Sequence, residues 1–223
     1  MPEIIYEDRN ILVCLKPAGV LSTDEPGGLP ELLRLQLNNP HANLRTVHRL
    51  DRVVGGLMVL GRSSAMASEL SRQIREGAFH KEYLAVVHGK TDRSGELNDY
   101  LVRDKEKRMT FVAAENVPGA QMSVLRYESI AYAEDLSLVR IRLITGRTHQ
   151  IRCQFSSRGL SLVGDRRYGI FENDNCDIAL WSYRLEFNHP WSGEHLQFQA
   201  LPANRYPWCL FSSALCSERF VNV

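Results

Sequence analysis

Five short apolar runs rich in β-branched residues recur along the chain with turn residues between them: ILVCLKP, GLMVLG, YLAVVHG, SVLRYESIAY and LSLVRIRLI. Runs of this length bounded by Gly, Pro and polar residues are strand signals. Their density restricts the chain to a sheet-rich α+β body. Length adds little, because 223 residues can bury a sizeable core in one large domain or in two small ones. The chain contains no internal repeat, low-complexity tract or linker of convincing length.

Two helices stand out against the strands. SSAMASELSRQIREG offers serines for an N-cap, Met66, Ala67, Leu70 and Ile74 at spacings of three and four, and Gly77 as a stop. THQIRCQFSSRG places Ile151 and Phe155 on one face and ends at Gly159, with Thr145 or Thr148 available as cap. Over residues 91–120 the pattern weakens around a charge run from Asp104 to Arg108, which predicts an exposed hairpin or loop excursion.

Charge is nearly balanced, 27 Lys plus Arg against 26 Asp plus Glu, so a polyanion must be held by local clustering. Residues 140–168 supply it: Arg140, Arg142, Arg147, Arg152, Arg158, Arg166 and Arg167 surround one acid, Asp165. Guanidinium groups favour planar, bidentate contact with phosphate or carboxylate, although a solvated face has the same composition. Cys14, Cys153, Cys176, Cys209 and Cys216 are odd in number and form no CxxC pair, the pattern of reduced thiols in a cytoplasmic protein. Neither a signal peptide nor an apolar stretch of about 20 residues is present, so no membrane contact is expected, and no obligate protein partner is evident.

The nine residues HRLDRVVGG set Asp51 between Arg49 and Arg52, behind His48 and ahead of two glycines. Flanking guanidinium groups favour an ionised carboxylate, so the stretch suits a nucleophile or an anion-facing loop; a solvated turn explains it equally well. Tyr83 in KEYLAVVHG and Arg152 in TGRTHQIR have ordinary structural explanations too, a half-buried strand tyrosine and a helix arginine on a wet face.

Together these stretches form a pattern. HRLDRVVGG resembles the HRLDxxTSG signature of RluA-type pseudouridine synthases, and KPAGVLS, KEYLAVVHG, RLITGRTHQIR, GLSLVGDRRYG and FNHPWSGEHLQFQALP follow in that family's order. The resemblance covers essentially the whole chain. It implies one catalytic domain over residues 1–223 without an N-terminal RNA-binding accessory domain. The implied fold is a mixed, mostly antiparallel sheet with flanking helices and a central cleft.

The resemblance also implies roles. Asp51 falls on the nucleophilic aspartate, Tyr83 on the tyrosine that packs on the target base and takes part in proton abstraction, and Arg152 on the arginine paired with the catalytic carboxylate. Arg49 falls on the side chain that fills the gap left by the flipped nucleotide and Ile144 on an apolar wall for the base; beside these, Arg147 of the arginine-rich segment reads as an RNA contact, and His149 as an RNA-facing residue or one that hydrogen-bonds behind the site. The implied substrate is a uridine in structured ribosomal or transfer RNA. No metal or organic cofactor is implied, and His149 has no partner at metal-ligand spacing.

The chemistry fits these residue types. Converting uridine to its C-glycoside breaks the N-glycosidic bond, turns the uracil and rejoins it through C5. An ionised carboxylate attacking either the sugar C1′ or the ring suits such a cleavage, and no second carboxylate is wanted because the base is retained. Extruding a stacked nucleotide costs on the order of a few kcal/mol, which contacts to base and phosphates must offset. Two departures stand out: Val54-Gly55-Gly56 replaces Thr-Ser-Gly and brings a flexible glycine near the nucleophile, and Cys153-Gln154 follows HQIR in place of an apolar residue and a histidine. A catalytically inactive RNA-binding protein on the same fold is the rival reading, and an isomerase or glycosidase of free nucleosides a more distant one. LVGDRRYG reads as a turn whose arginines face RNA, and Trp181, Trp191 and Trp208 read as core.

Overall fold

In the computed structural model, residues 1–170 and 174–217 are described. The first half of the chain gives β1 (Glu3–Glu7), β2 (Ile11–Lys16), α1 (Leu29–Gln36), β3 (Arg45–Thr46), β4 (Gly55–Gly61), α2 (Ser64–Glu76), β5 (His80–His88), β6 (Ser94–Asp104) and β7 (Met109–Ala113). The second gives β8 (Gln121–Ala133), β9 (Leu136–Leu143), α3 (Gln150–Ser156), β10 (Leu180–Asn188), β11 (His195–Gln199), a 3-10 turn at Trp208–Phe211 and α4 (Ser212–Ser217). These elements form two compact units, Met1–Lys81 with Trp181–Ala200 and Glu82–Leu180 with Leu201–Val223. Each is a mixed α/β body with a mostly antiparallel sheet, in line with the sequence.

In the first unit β2 lies antiparallel between β1 and β4, and β10 joins β4 in parallel through Trp181 and Ser182. β11 folds back on β10, and β3 pairs with β4. Alternation along the strands turns Ile11, Val13, Leu57 and Val59 to one face, where Leu70 of α2, Phe79, Leu185 and Phe187 complete the core. Fully burying each such side chain contributes about 1.5–3 kcal/mol. A one-residue slip of β2 would turn Ile11 and Val13 to the opposite face, so the register is tightly specified.

The predicted helix at residues 63–77 is α2. The Ser63 hydroxyl accepts the Met66 N–H at 3.2 Å, and Gly77 ends the helix at φ 74° with its N–H on the Ile74 carbonyl. The second helix is shorter than expected and is not capped by threonine. His149 stands at its N-cap in the left-handed region, φ 56°, and Thr145 Oγ1 instead reaches Gln150 Oε1 at 2.9 Å. The helix α1 escaped notice because its eight residues sit behind Gly27-Gly28 and contain Pro30, which together read as a turn.

The second unit carries the strand order β5-β9-β8-β6-β7, antiparallel throughout. Residues 91–120, expected as an exposed hairpin or loop excursion, do form a hairpin, of strands β6 and β7, and β6 also pairs with β8 and so belongs to the sheet. Their alternation was obscured because Leu97 and Leu101 are buried among polar neighbours whose faces meet solvent. Helix α3 covers this part of the sheet, with Phe155 edge-on to Tyr127 and Cys153 packed with Leu101, Met109 and Tyr168. Gln154 donates to the Leu97 carbonyl at 3.1 Å and to Asp99 Oδ2 at 2.7 Å. Both departures after HQIR therefore have local work, one in packing and one in pinning α3 to β6.

Trp208 is buried as expected and Trp181 partly so. Trp191 corrects the expectation: it stands in the β10–β11 turn, 76% exposed. That turn is fastened by His189, whose Nε2 lies 2.9 Å from Asp8 Oδ2, while Asp8 Oδ1 accepts the N–H groups of Asn10 and Ile11. Among the described residues, no helix is long and apolar enough to cross a membrane.

Candidate active site

Asp51 and Arg49 belong to the first unit; Tyr83, Ile144, Arg147, His149 and Arg152 belong to the second.

Asp51 is half-buried in the turn before β4, between exposed Arg49 and Arg52 and beyond buried Leu50. The Val54 N–H closes the turn on the Asp51 carbonyl at 3.0 Å. Both neighbours of Asp51 are held by the segment after β2. Ser22 Oγ donates to the Leu50 carbonyl at 2.8 Å and accepts the Leu50 N–H at 3.0 Å. Gly19 N–H donates to the Arg52 carbonyl at 2.7 Å, and Arg52 Nε returns a bond to the Gly19 carbonyl at 2.8 Å.

Lys16 completes this clamp from inside the protein. It is wholly buried, and its ammonium reaches the carbonyls of Pro17 at 2.9 Å, Val20 at 2.8 Å and Arg52 at 3.3 Å. Three donors meet three acceptors, so the buried charge is fully hydrogen-bonded. Burial pulls the Lys16 pKa down to about 8, against the opposing influence of the Asp51 charge. His48 is a different case. It accepts the Val59 N–H on Nε2 at 3.3 Å, and burial, followed by the nearby Lys81 charge, pushes its pKa down to about 3. A histidine held neutral behind Asp51 serves packing, not proton transfer at neutral pH.

The start of β4 explains the glycines at 55 and 56. A Cβ on Gly55 would lie 2.6 Å from Trp181 Cζ3, and one on Gly56, at φ 120°, would lie 2.4 Å from the Ser182 carbonyl oxygen. Close passage of β4 and β10 thus demands both glycines, and neither acts here as a point of freedom.

In the second unit Tyr83 sits on β5, 5% exposed and opposite Ile141 of β9. Ile144 is 51% exposed just past β9, with its N–H on the Val124 carbonyl. Arg147 is exposed, and its Nε donates to the Met122 carbonyl at 3.3 Å. His149 Nδ1 lies 3.3 Å from Arg103 Nη1 and 2.8 Å from the Tyr168 hydroxyl, which itself accepts the Thr110 N–H at 2.6 Å. Since a guanidinium can only donate, Nδ1 is the acceptor and His149 is the Nε2–H tautomer.

Arg152 corrects the picture of an arginine on a wet face: it is 5% exposed. Its Nε donates to Asp165 Oδ2 at 2.8 Å and its Nη2 to Asp165 Oδ1 at 2.6 Å, while the guanidinium lies over the Tyr168 ring at 5.0 Å. Asp165 also accepts the N–H groups of Arg167 and Tyr168. Burial would raise its pKa, but Arg152 and those two N–H groups more than offset this and hold it below the usual carboxylate range. The LVGDRRYG turn predicted from sequence is therefore fastened to α3 through its acid. Sequence reasoning gave no functional role to Lys16, Ser22, Asp165 or Trp181. Asp165 alone carried a signal, as the one acid among seven arginines.

The family model described as RNA pseudouridylate synthase matches residues 10–157. The chain is 33% identical over 214 residues to a dual-specificity RNA pseudouridine synthase RluA of Vibrio vulnificus, covering 92% of this chain and 84% of that protein. It is 30% identical over 217 residues to a ribosomal large subunit pseudouridine synthase D of Zymomonas mobilis, covering 89% and 68%. Among solved structures, human RNA Pseudouridylate Synthase Domain Containing 1 shares the fold with a TM-score of 0.77 at 24% identity, over 93% of this chain and 85% of that one.

Proposed function

Since the chain belongs to the RNA pseudouridylate synthase family, we infer that it isomerises specific uridines of structured ribosomal or transfer RNA to pseudouridine. The N1–C1′ bond breaks, the uracil turns, and C5 joins C1′. The C5 proton leaves and N1 gains one, so neither redox change nor outside energy enters.

In this reading ionised Asp51 opens the glycosidic bond, and Tyr83 holds the freed base and helps remove the C5 proton. Arg152 supplies positive charge for the reacting carboxylate. Its Nε and Nη2 edge is engaged by Asp165, which fixes the plane in which the rest of the guanidinium can act. Arg49 fills the stack that the flipped nucleotide leaves, Ile144 walls the base, and Arg147 and His149 meet the RNA. All these positions lie within the segment that matches the family.

The observation that carries the reading is the clamp around Asp51. A half-exposed carboxylate whose two neighbours are bonded through their backbones to one segment, anchored at buried Lys16 and Ser22, is held in a fixed geometry, as a nucleophile must be. The family match over residues 10–157 runs from the first unit into the second, which supports one catalytic domain that includes parts of both. Five free cysteines support action in the cytoplasm. The relatives' names, one a dual-specificity RNA pseudouridine synthase and one a synthase of the large ribosomal subunit, support RNA as substrate and ribosomal RNA among the candidates.

Pseudouridine maps of total RNA from cells with the wild-type gene, a deletion and an Asp51→Ala copy test the reading. Sites lost in both mutants identify the substrate. Identical maps in all three, with paralogue redundancy excluded by multiple deletion, would replace catalysis with RNA binding as the function.

A further inference from the structure

We propose that Trp181 is a positioning residue for the isomerisation, acting through Gly55 to fix the turn that carries Asp51. This rests on the reading of Asp51 as the reacting carboxylate.

Trp181 and Gly55 face each other at the start of the parallel pair between β10 and β4. A Cβ at position 55 would meet the indole at 2.6 Å and 3.1 Å, and the Lys16 carbonyl oxygen at 3.3 Å. The space a side chain at Gly55 would take is therefore filled by the indole and bordered by the end of β2. The indole is itself anchored, because its Nε1 donates to the Ala200 carbonyl at 2.8 Å. One residue on, Ser182 backbone lies so close to Gly56 that this position has no room to shift either.

The turn inherits this rigidity. Val54, adjacent to Gly55, closes it through its N–H on the Asp51 carbonyl. The clamp from Lys16, Gly19 and Ser22 holds Leu50 and Arg52. Trp181 holds the far end, where the strand begins. The signature that HRLDRVVGG resembles has a serine at the position of Gly55. In this chain the side chain there is gone, and an aromatic ring from β10 occupies its space. Removing the ring would leave Gly55 unsupported by either its own side chain or its neighbour. Restoring a side chain at 55 while the ring remains would force the strand and the indole apart.

The pair is tested with Trp181→Phe, Trp181→Ala, Gly55→Ser and the double variant Gly55→Ser/Trp181→Ala in the full-length protein. The substrate is total RNA from cells lacking the gene. Single-turnover pseudouridine formation at saturating enzyme, retention of the same RNA on filters, and thermal melting are recorded for each. Trp181→Ala should slow conversion by about tenfold or more, since displacement of a reacting group by about an ångström costs up to about 100-fold. RNA retention should stay within about twofold of wild type, separating positioning from binding. Trp181→Phe should retain most of the rate, Gly55→Ser should lose it, and the double variant should recover activity relative to Gly55→Ser.

An unchanged rate in Trp181→Ala, a loss of RNA retention parallel to the loss of rate, or a double variant no faster than Gly55→Ser overturns the proposal. If Trp181→Ala melts below the assay temperature, the double variant decides it: a rate no higher than that of Gly55→Ser overturns the proposal, and a recovered rate upholds it. Asp51→Asn is the accompanying control. Conversion by that variant sinks the underlying reading of Asp51, whereas its inactivity together with any of the three outcomes above removes only the role of Trp181.

Discussion

The Ser22 hydroxyl occupies both backbone polar groups of Leu50, donating to the carbonyl and accepting from the N–H. A side chain 28 residues earlier thereby supplies what a neighbouring strand would supply in a sheet. Leu50 is buried and needs both bonds, and Asp51, next in sequence, is left at the edge of a backbone that cannot rotate.

Ser22→Ala removes both bonds and leaves a buried N–H and carbonyl unpaired. Each unsatisfied group costs about 1–3 kcal/mol. The variant should unfold at lower urea concentration, and its single-turnover rate should fall at temperatures where it remains fully folded. A normal rate in folded Ser22→Ala would show that Asp51 keeps its geometry without the clamp.

Lys16 should make stability depend on pH in the alkaline range. Its pKa is about 8 in the folded protein, below the ordinary 10.5, so between these values the unfolded chain binds more protons. Stability from this group therefore rises with pH across that window, by on the order of 3 kcal/mol in full. Lys16→Met should lack the rise. The check is the wild-type minus variant difference in urea unfolding free energy from pH 7 to pH 10; a flat difference contradicts it.

Asp165→Asn breaks a buried ion pair and leaves the Arg152 charge uncompensated, at a cost of about 3–5 kcal/mol near neutral pH. The Asp165 pKa is lowered in the folded state, so its contribution is complete above the ordinary carboxylate value and fades as pH falls through the folded one. The gap between wild type and variant should accordingly close below about pH 4. Denaturant titrations at pH 7 and under acid conditions read it, and a gap unaffected by acid would contradict the pairing as its source.

Two glycines with positive φ should respond differently to alanine. At Gly77, φ 74°, no atom lies within 4 Å of the added Cβ, so the cost is conformational alone, about 1–2 kcal/mol. At Gly56 the Cβ would strike the Ser182 backbone, and β4 cannot retreat because β2 is paired along its other edge. Gly56→Ala should therefore lower the melting temperature well beyond Gly77→Ala; equal shifts would refute the steric argument.

The sequence exposed elements that carry their own periodicity. Strands β2, β4, β5, β8 and β9 follow from their apolar runs, and α2 from Ser63, Leu70 and Gly77. What it hid depends on distant partners. Arg152 is buried because Asp165 and Tyr168 receive it, and the glycines at 55 and 56 follow from β10, which lies over a hundred residues away in the chain. The β6–β7 hairpin was legible only as a hairpin or a loop excursion, and its place in the sheet stayed obscure because its polar face outnumbers Leu97 and Leu101. Asp51, Tyr83 and Arg152 were legible as a set only through the family resemblance, since each alone has an ordinary structural explanation.

The first unit draws its strands from both ends of the chain, residues 1–81 and 181–200. During synthesis its opening segment therefore emerges without β10 and β11 and must wait while the 99 residues of 82–180 are made. At 5–20 residues per second that interval is about 5–20 s. Throughout it, the β4 edge beside Gly55 and Gly56 is unpaired, and the core lacks Leu185 and Phe187. The nascent chain is thus most vulnerable to aggregation and most dependent on chaperones before residue 189 arrives, when His189 can meet Asp8 and join the last-made strands to the first.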